Sequence, residues 1–152
     1  MSGSNRGFWK VVLPLVIGGI LLVVLVLVFR PVARTGAVAY AQANLRRAAD
    51  AAERLASEGS LADADRETLA AGGAVDDLLL IDPDQSSNDP EVVSVLATDA
   101  AWTGSARAET GECFWVRVAA GAGGSLGTVY GTGTDCSADE ASAAEPGAWP
   151  EP

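Results

Sequence analysis

The sequence predicts an α+β fold in which a long N-terminal helix packs on a four-stranded antiparallel meander. Two observations lead to this prediction. An apolar pattern followed by an amphipathic one fills the first 58 residues, and four short segments rich in β-formers follow residue 90. The chain has 152 residues, of which only about 120 lie beyond the apolar run, so we expect one small core.

The charged residues are unevenly distributed. Lys and Arg number 10 against 20 Asp and Glu, every acid lies at or beyond Asp50, and the net charge is −10. From Arg46 onward, six arginines oppose all twenty acids and leave a net charge of −14. Such a domain repels phosphates, so no nucleic acid partner is expected.

Catalytic chemistry has little support in the composition. The chain contains no His and only two Cys, which excludes a Ser-His-Asp triad and His-ligated zinc. The acids Glu109, Glu112 and Asp135 lie at predicted strand ends, where they are interpreted as surface charge. We therefore expect neither an enzyme nor a cofactor.

The N-terminal part divides into a short basic leader or cytoplasmic segment, 1–10, and an apolar run, 11–29. The run has nineteen residues without a charge, and a helix of that length spans about 28 Å, so it is predicted as a transmembrane helix. A secretory signal cleaved near Tyr40 is the competing interpretation, but its apolar core would exceed the usual ~7–15 residues. Arginines flank both ends of the run, so charge alone does not set the orientation.

Segment 30–58 is predicted as an amphipathic stem helix that ends at Glu58-Gly59. Its apolar residues recur at intervals of three and four: Val38, Ala41, Leu45, Ala48, Ala52 and Leu55. In segment 59–136, the sequence predicts a short helix near 64–71, and the run 78–81 is either a strand or a packed loop.

Four strands are predicted at 91–98, 100–109, 112–120 and 126–132. Their connections of two to six residues allow only antiparallel neighbours. One face of the sheet must be covered, and the stem helix offers the long apolar stripe for it. The acidic segment 137–152 is predicted as a flexible tail.

Trp102 and Trp115 admit two interpretations, as core residues or as a stacking platform for a ligand.

Cys113 and Cys136 also admit two interpretations, as a disulfide or as two free thiols in a cytosolic domain. A disulfide would close a 24-residue loop and contribute about 3 kcal/mol, and we expect it. An oxidising compartment then favours a domain outside the cytoplasmic membrane, with the N-terminus inside.

The whole chain resembles a type IV pilin or pseudopilin. The resemblance rests on the order of segments and on the Gly7-Phe8 junction, which is similar to a prepilin peptidase site. It rests also on Pro31, on the run TGECFWV at 110–116, and on VYG at 129–131 with Cys136. Cleavage at this junction would make Val12 the fifth mature residue, where pilins usually carry Glu.

The resemblance implies a structural subunit that is anchored in the cell membrane as a single-pass protein, with its C-terminal domain extracytoplasmic. Its partners would be the membrane and other pilin-like subunits or envelope proteins, in a pilus or a secretion-system fibre. The alternative is a single-pass binding or sensory module that recognises a ligand or an envelope partner. An exposed Trp102 or Trp115 would favour the alternative.

One metal-binding hypothesis comes from the run DPDQSSND at 82–89. Asp82, Asp84 and Asn88 place oxygen ligands at alternate positions, as calcium loops do. The sixth position holds Ser87 instead of Gly, and the twelfth holds Val93 instead of Glu. A solvated turn that leads into the first predicted strand is the competing interpretation.

Overall fold

The computed structural model describes residues 5–121 and 124–150, with side chains at 15–25, 34–121 and 124–150. The chain divides into two compact units, 1–35 and 36–152. The elements are α1 (Asn5–Glu58), a 3-10 turn (Leu61–Asp63), α2 (Arg66–Ala71), β1 (Leu79–Ile81), β2 (Val92–Ala97), β3 (Ala101–Arg107), β4 (Cys113–Ala120), β5 (Leu126–Gly133) and α3 (Ala138–Ala143).

The sheet has five strands in the order β1-β2-β3-β4-β5, and it is mixed. Strands β2 to β5 pair antiparallel with their sequence neighbours, but β1 pairs parallel with β2, with Leu79 opposite Val92. The prediction of a four-stranded antiparallel meander is therefore wrong. The connection 82–91 is long enough to return the chain to the start of β1, so that β2 runs in the same direction.

The core lies between one face of the sheet and the stem part of α1. The stem contributes the predicted residues Val38, Ala41, Leu45, Ala48 and Ala52, all buried. The sheet contributes alternate residues of its strands: Leu80, Val93, Val95, Trp102, Ala106, Phe114, Val116 and Val118. Every second residue of the strands thus packs against the helix residues that recur at intervals of three and four, and together they form one core layer.

The opposite face of the sheet is covered by α3 and by the connection 82–91. The backbone N–H of Ala138 donates to Ser94 Oγ at 2.9 Å, and Ser94 Oγ donates to the carbonyl of Asp82 at 3.0 Å. Arg117 Nη2 donates to the carbonyls of Ala141 and Ala144 at 2.5 and 3.0 Å. Residues 138–143 are therefore helical, although their composition favours loose order.

The short helical turns between α1 and the sheet begin at residues that cap them. Ser60 and Asp63 form a capping box at the 3-10 turn, and Asp65 caps α2 by accepting from the backbone N–H of Thr68 at 2.8 Å. Capping side chains satisfy backbone donors that have no partner within the helix. The helix predicted near 64–71 thus begins at Arg66 and ends at Ala71.

The membrane prediction is not supported. Among the residues described, none of the helices combines the length and the apolar content needed to cross a membrane. This finding contradicts the predicted transmembrane helix, and with it the single-pass location with an extracytoplasmic C-terminal domain.

Candidate functional site

The largest exposed apolar surface described lies on α1 at residues 15–25, here called the apolar segment. Its nine Leu, Ile and Val side chains are 49–71% exposed in the single chain. Successive residues of a helix are turned by about 100°, so eleven consecutive exposed positions surround the helix. A helix that is apolar on every face is usually buried on every face.

Two glycines lie within the apolar segment. A Cβ atom added at Gly18 or Gly19 would meet no heavy atom within 4 Å. Neither glycine is therefore required by packing within the chain. Small residues on a helix let a second helix approach closely, so the pair Gly18-Gly19 is suited to contact between helices.

Cys113 and Cys136 form a disulfide, with their Cα atoms 5.2 Å apart. Cys113 begins β4 and Cys136 follows β5, and both residues are buried. The bond ties the chain immediately before α3 to the sheet. The expectation of a cysteine pair at bonding distance is confirmed.

Both strand tryptophans are buried, Trp102 at 0% and Trp115 at 1% exposure. Trp102 belongs to the core beneath α1, while the Trp115 ring lies against Gly131 on the opposite face of the sheet. Trp115 Nε1 donates to the carbonyl of Thr132 at 3.3 Å, and the Arg117 guanidinium lies 5.1 Å from the ring centroid. Neither ring offers a stacking surface, which removes the feature that would favour a binding module.

The run that suggested calcium forms a turn between β1 and β2. The Asp82 carboxylate pairs with Arg66 at 3.1 Å, and the Asp82 carbonyl accepts from the backbone N–H of Gln85 at 3.0 Å. No group of three or more His, Cys, Asp or Glu that could hold a metal occurs within the described parts of the chain. The structure thus gives Asp82 a partner of its own and adds no support for calcium ligation by Asp84 and Asn88.

Two carboxylates described here have shifted pKa values, and both shifts have structural causes. The hydrogen bond from the Thr68 backbone N–H lowers the pKa of Asp65, and the hydrogen bond from the Arg47 guanidinium lowers the pKa of Asp77. Asp65 is a helix cap, and Asp77 ties its loop to α1. The side chains of Glu109, Glu112 and Asp135 are exposed. The contacts of Asp65 and Asp77 thus join parts of the fold to one another.

Sequence reasoning missed a site that the C-terminal residues occupy. We call residues 145–150 the C-terminal strap. The indole Nε1 of Trp149 donates to the carbonyls of Trp115 and Gly131, both at 3.0 Å. Its ring lies 4.5 Å from the Tyr130 ring and 6.3 Å from the Phe114 ring, measured between centroids. A tryptophan within a polar tail was the one available signal.

Two residues of α1 complete this site. Gln42 is 1% exposed, and its Nε2 donates to the carbonyl of Pro150 at 3.2 Å. The Arg46 guanidinium lies 5.1 Å from the Trp149 ring centroid, within the range of a cation–π contact. The backbone N–H of Gly147 also donates to the carbonyl of Tyr130 at 2.8 Å. We call the groove formed by Gln42, Arg46, Phe114 and Tyr130 the Trp149 seat.

The chain matches no protein family, no curated protein and no solved structure. The resemblance to type IV pilins therefore stays a prediction. The side chain of Phe8 lies outside the described part of the chain. No finding tests cleavage between Gly7 and Phe8, which stays a prediction as well.

Proposed function

We propose that the chain is a structural subunit that assembles with other copies of itself through the apolar segment of α1. The observation that supports this proposal is the exposure of 49–71% for nine large apolar side chains between Leu15 and Leu25. Continuous apolar surface of this kind marks an interaction site on a folded protein.

A second copy fits this surface better than a single groove on another protein would. A groove covers one side of a helix, whereas the apolar segment presents apolar side chains on all sides. In a bundle of equivalent helices, each helix has a neighbour on either side, and these neighbours together cover more of its circumference than one groove does. The pair Gly18-Gly19 provides room for close approach at the middle of the contact.

The energetic scale is consistent with assembly. Complete burial of one Val, Leu or Ile side chain contributes about 1.5–3 kcal/mol, and association costs about 4–15 kcal/mol. Burial of about half of the nine side chains on each of two copies therefore offsets this cost. The folded unit 36–152 has its own core and its own disulfide, and neither of them depends on the contact between apolar segments.

Sedimentation velocity of the full chain in aqueous buffer tests the proposal. The wild type is expected to sediment as an oligomer at about 10 µM, because burial of the apolar segment favours association. Leu22→Asp places a charge in the segment and is expected to give monomers. Ala43→Asp adds the same charge at an exposed position of the stem and is expected to leave the oligomer unchanged.

Three outcomes would contradict the proposal. The wild type could be monomeric at every concentration tested, or Leu22→Asp and Ala43→Asp could weaken association equally. The chain could also float with phospholipid vesicles in preference to associating with itself. Circular dichroism of both variants verifies that each change leaves the fold intact.

A further inference from the structure

One face of the apolar segment has a pair of glycines at its centre and a leucine at each end. Residues that are three, four and seven positions apart share a side of a helix, so this face consists of Leu15, Gly18, Gly19 and Leu22. Leu15 is 71% exposed and Leu22 is 66% exposed, and a Cβ atom added at either glycine would meet no heavy atom within 4 Å. We call these four residues the glycine face. Its two leucines flank a gap that a second helix can enter.

The sequence around the two glycines is nearly the same in both directions. Residues 15–18 read LVIG, and residues 22–19, taken in reverse order, read LLIG. Two equivalent helices that run in opposite directions and cross at the glycines therefore place like residues at the same height, in the pairs Leu15–Leu22, Val16–Leu21, Ile17–Ile20 and Gly18–Gly19. A two-fold symmetric contact makes each such pair twice, so the glycine face is complementary to its own copy in the reverse direction.

The charges of the chain favour opposite directions over a parallel pair. Residues 36–152 hold six arginines against all twenty acids, and they follow the apolar segment in the chain. In a parallel pair, both chains leave the segment at the same end, about 8–10 Å apart, which is within the screening length of about 10 Å at 0.1 M salt. In an antiparallel pair, they leave at opposite ends, separated by about 15 Å, the length of a helix of eleven residues.

The basic residues that flank the segment do not alter this choice. Arg6 and Lys10 precede the segment, and Arg30 and Arg34 follow it. Because both ends are basic, either direction places basic residues near basic residues. Only the position of the acids differs between the two directions, and it favours the antiparallel one.

We propose that neighbouring copies pack antiparallel through the glycine face, with their helices crossing at Gly18 and Gly19. The inference rests on the proposed assembly and adds its direction and its contact face. Glycines let the two backbones approach closely at the crossing, and Leu15 of one copy packs beside Leu22 of the other. Helices that alternate in direction around a closed bundle must be even in number, so the oligomer contains an even number of copies.

Disulfide cross-linking of mixed full-length chains tests the direction. One chain carries Leu15→Cys, and the other is isotope-labelled and carries Leu22→Cys, so intact mass distinguishes the products. Cysteine keeps both positions apolar. The chains are mixed at high dilution, concentrated until the wild type is oligomeric, and oxidised mildly.

The expected product is the mixed dimer. A disulfide requires Cα atoms about 4.4–6.8 Å apart, a distance that positions 15 and 22 of antiparallel neighbours can reach. Two copies of the same position are offset by seven residues, about 10 Å along the helix. The mixed dimer is therefore expected to exceed either same-position dimer about ten-fold.

Leu21→Cys provides the matched control for the contact face. Leu21 is adjacent to Leu22 and similarly exposed, but it is turned by about 100° away from the glycine face. Mixed with Leu15→Cys, it is expected to give about ten-fold less mixed dimer than Leu22→Cys does. Equal yields from the two mixtures would overturn the glycine face as the contact.

Failure of this inference is distinguishable from failure of the assembly. Same-position dimers from Leu15→Cys alone and from Leu22→Cys alone would show a parallel pair and overturn the proposal, as would an odd number of copies in sedimentation equilibrium. Either result would leave the proposed assembly standing, because the chain would still be an oligomer. A wild type that is monomeric at every concentration would instead remove the assembly, and this inference with it.

Discussion

Single residues determine how closely the strands and the indole rings of this domain pack. An added Cβ atom at Gly131 would overlap the indole of Trp115, a ring that is almost completely buried. The position is held by glycine because of this close approach and not because of a positive φ. The tryptophan and the glycine therefore form one packing unit across β4 and β5.

Gly131→Ala is expected to destabilise the domain by about 1–3 kcal/mol, the usual cost of overpacking a filled core. The matched control is Gly127→Ala in the same strand, where an added Cβ meets nothing within 4 Å. That control should change stability by less than about 0.5 kcal/mol. Denaturation in guanidinium chloride measures both variants, and equal midpoints for them would refute the packing argument.

Asp65, the N-cap residue of α2, makes the stability of the fold depend on pH. The hydrogen bond from the Thr68 backbone N–H lowers the pKa of folded Asp65 below the ordinary value of 3.8. The stability that ionised Asp65 adds to the fold is therefore present above pH 3.8, and it is lost as the pH falls through the lowered pKa of the folded state. Asp65→Asn keeps a good N-cap but does not titrate. Its unfolding free energy should therefore fall less than that of the wild type between about pH 5 and pH 2. Parallel curves would contradict the assigned role.

At the scale of elements, the sequence predicted what local periodicity determines. The stem residues Val38 to Ala52 face the core as expected, and the four β-rich segments form β2 to β5. The sequence did not decide between a strand and a packed loop for β1, and it predicted a flexible tail where α3 forms, because both elements are short. Their positions depend on distant partners, such as Arg117 for the carbonyl groups of α3.

The candidate sites also divide into those that the sequence pattern reveals and one that only the folded chain brings together. The cysteine pair was predicted correctly, although the extracytoplasmic location assumed for it is contradicted. The apolar segment is evident in the sequence, but a membrane was the wrong inference from it. The Trp149 seat could not be predicted. Its parts come from α1, β4 and β5, and only the folded chain brings Gln42 within 3.2 Å of the Pro150 carbonyl.

The disulfide contributes at the element scale by joining β4 to the segment before α3. The loop it closes is 24 residues long, so breaking it should lower the free energy of unfolding by about 3 kcal/mol. Denaturation with and without a reducing phosphine measures this difference. Cys113→Ala/Cys136→Ala serves as the control, since the reductant should have no effect on it. A reductant effect of equal size on both proteins would show that the disulfide is not its target.

At the scale of the whole molecule, apolar and charged residues are segregated along the chain. The apolar segment carries no charge, whereas all twenty acids lie at or beyond Asp50. Copies that associate through the apolar segment therefore bring together domains of the same sign. Assembly then depends on two opposing terms, burial of apolar surface and repulsion between acidic units.

These two terms predict how assembly responds to salt. With a net charge of −10 on each copy, repulsion extends over about 30 Å at 0.01 M salt and over about 3 Å at 1 M. Raising NaCl from about 0.01 to 0.5 M should therefore strengthen association of the wild type several-fold in sedimentation equilibrium. Leu22→Asp should stay monomeric at both concentrations, because screening cannot restore the lost apolar contact. If salt instead weakened association, ion pairs and not apolar burial would hold the copies together, and the apolar segment would lose its assigned role.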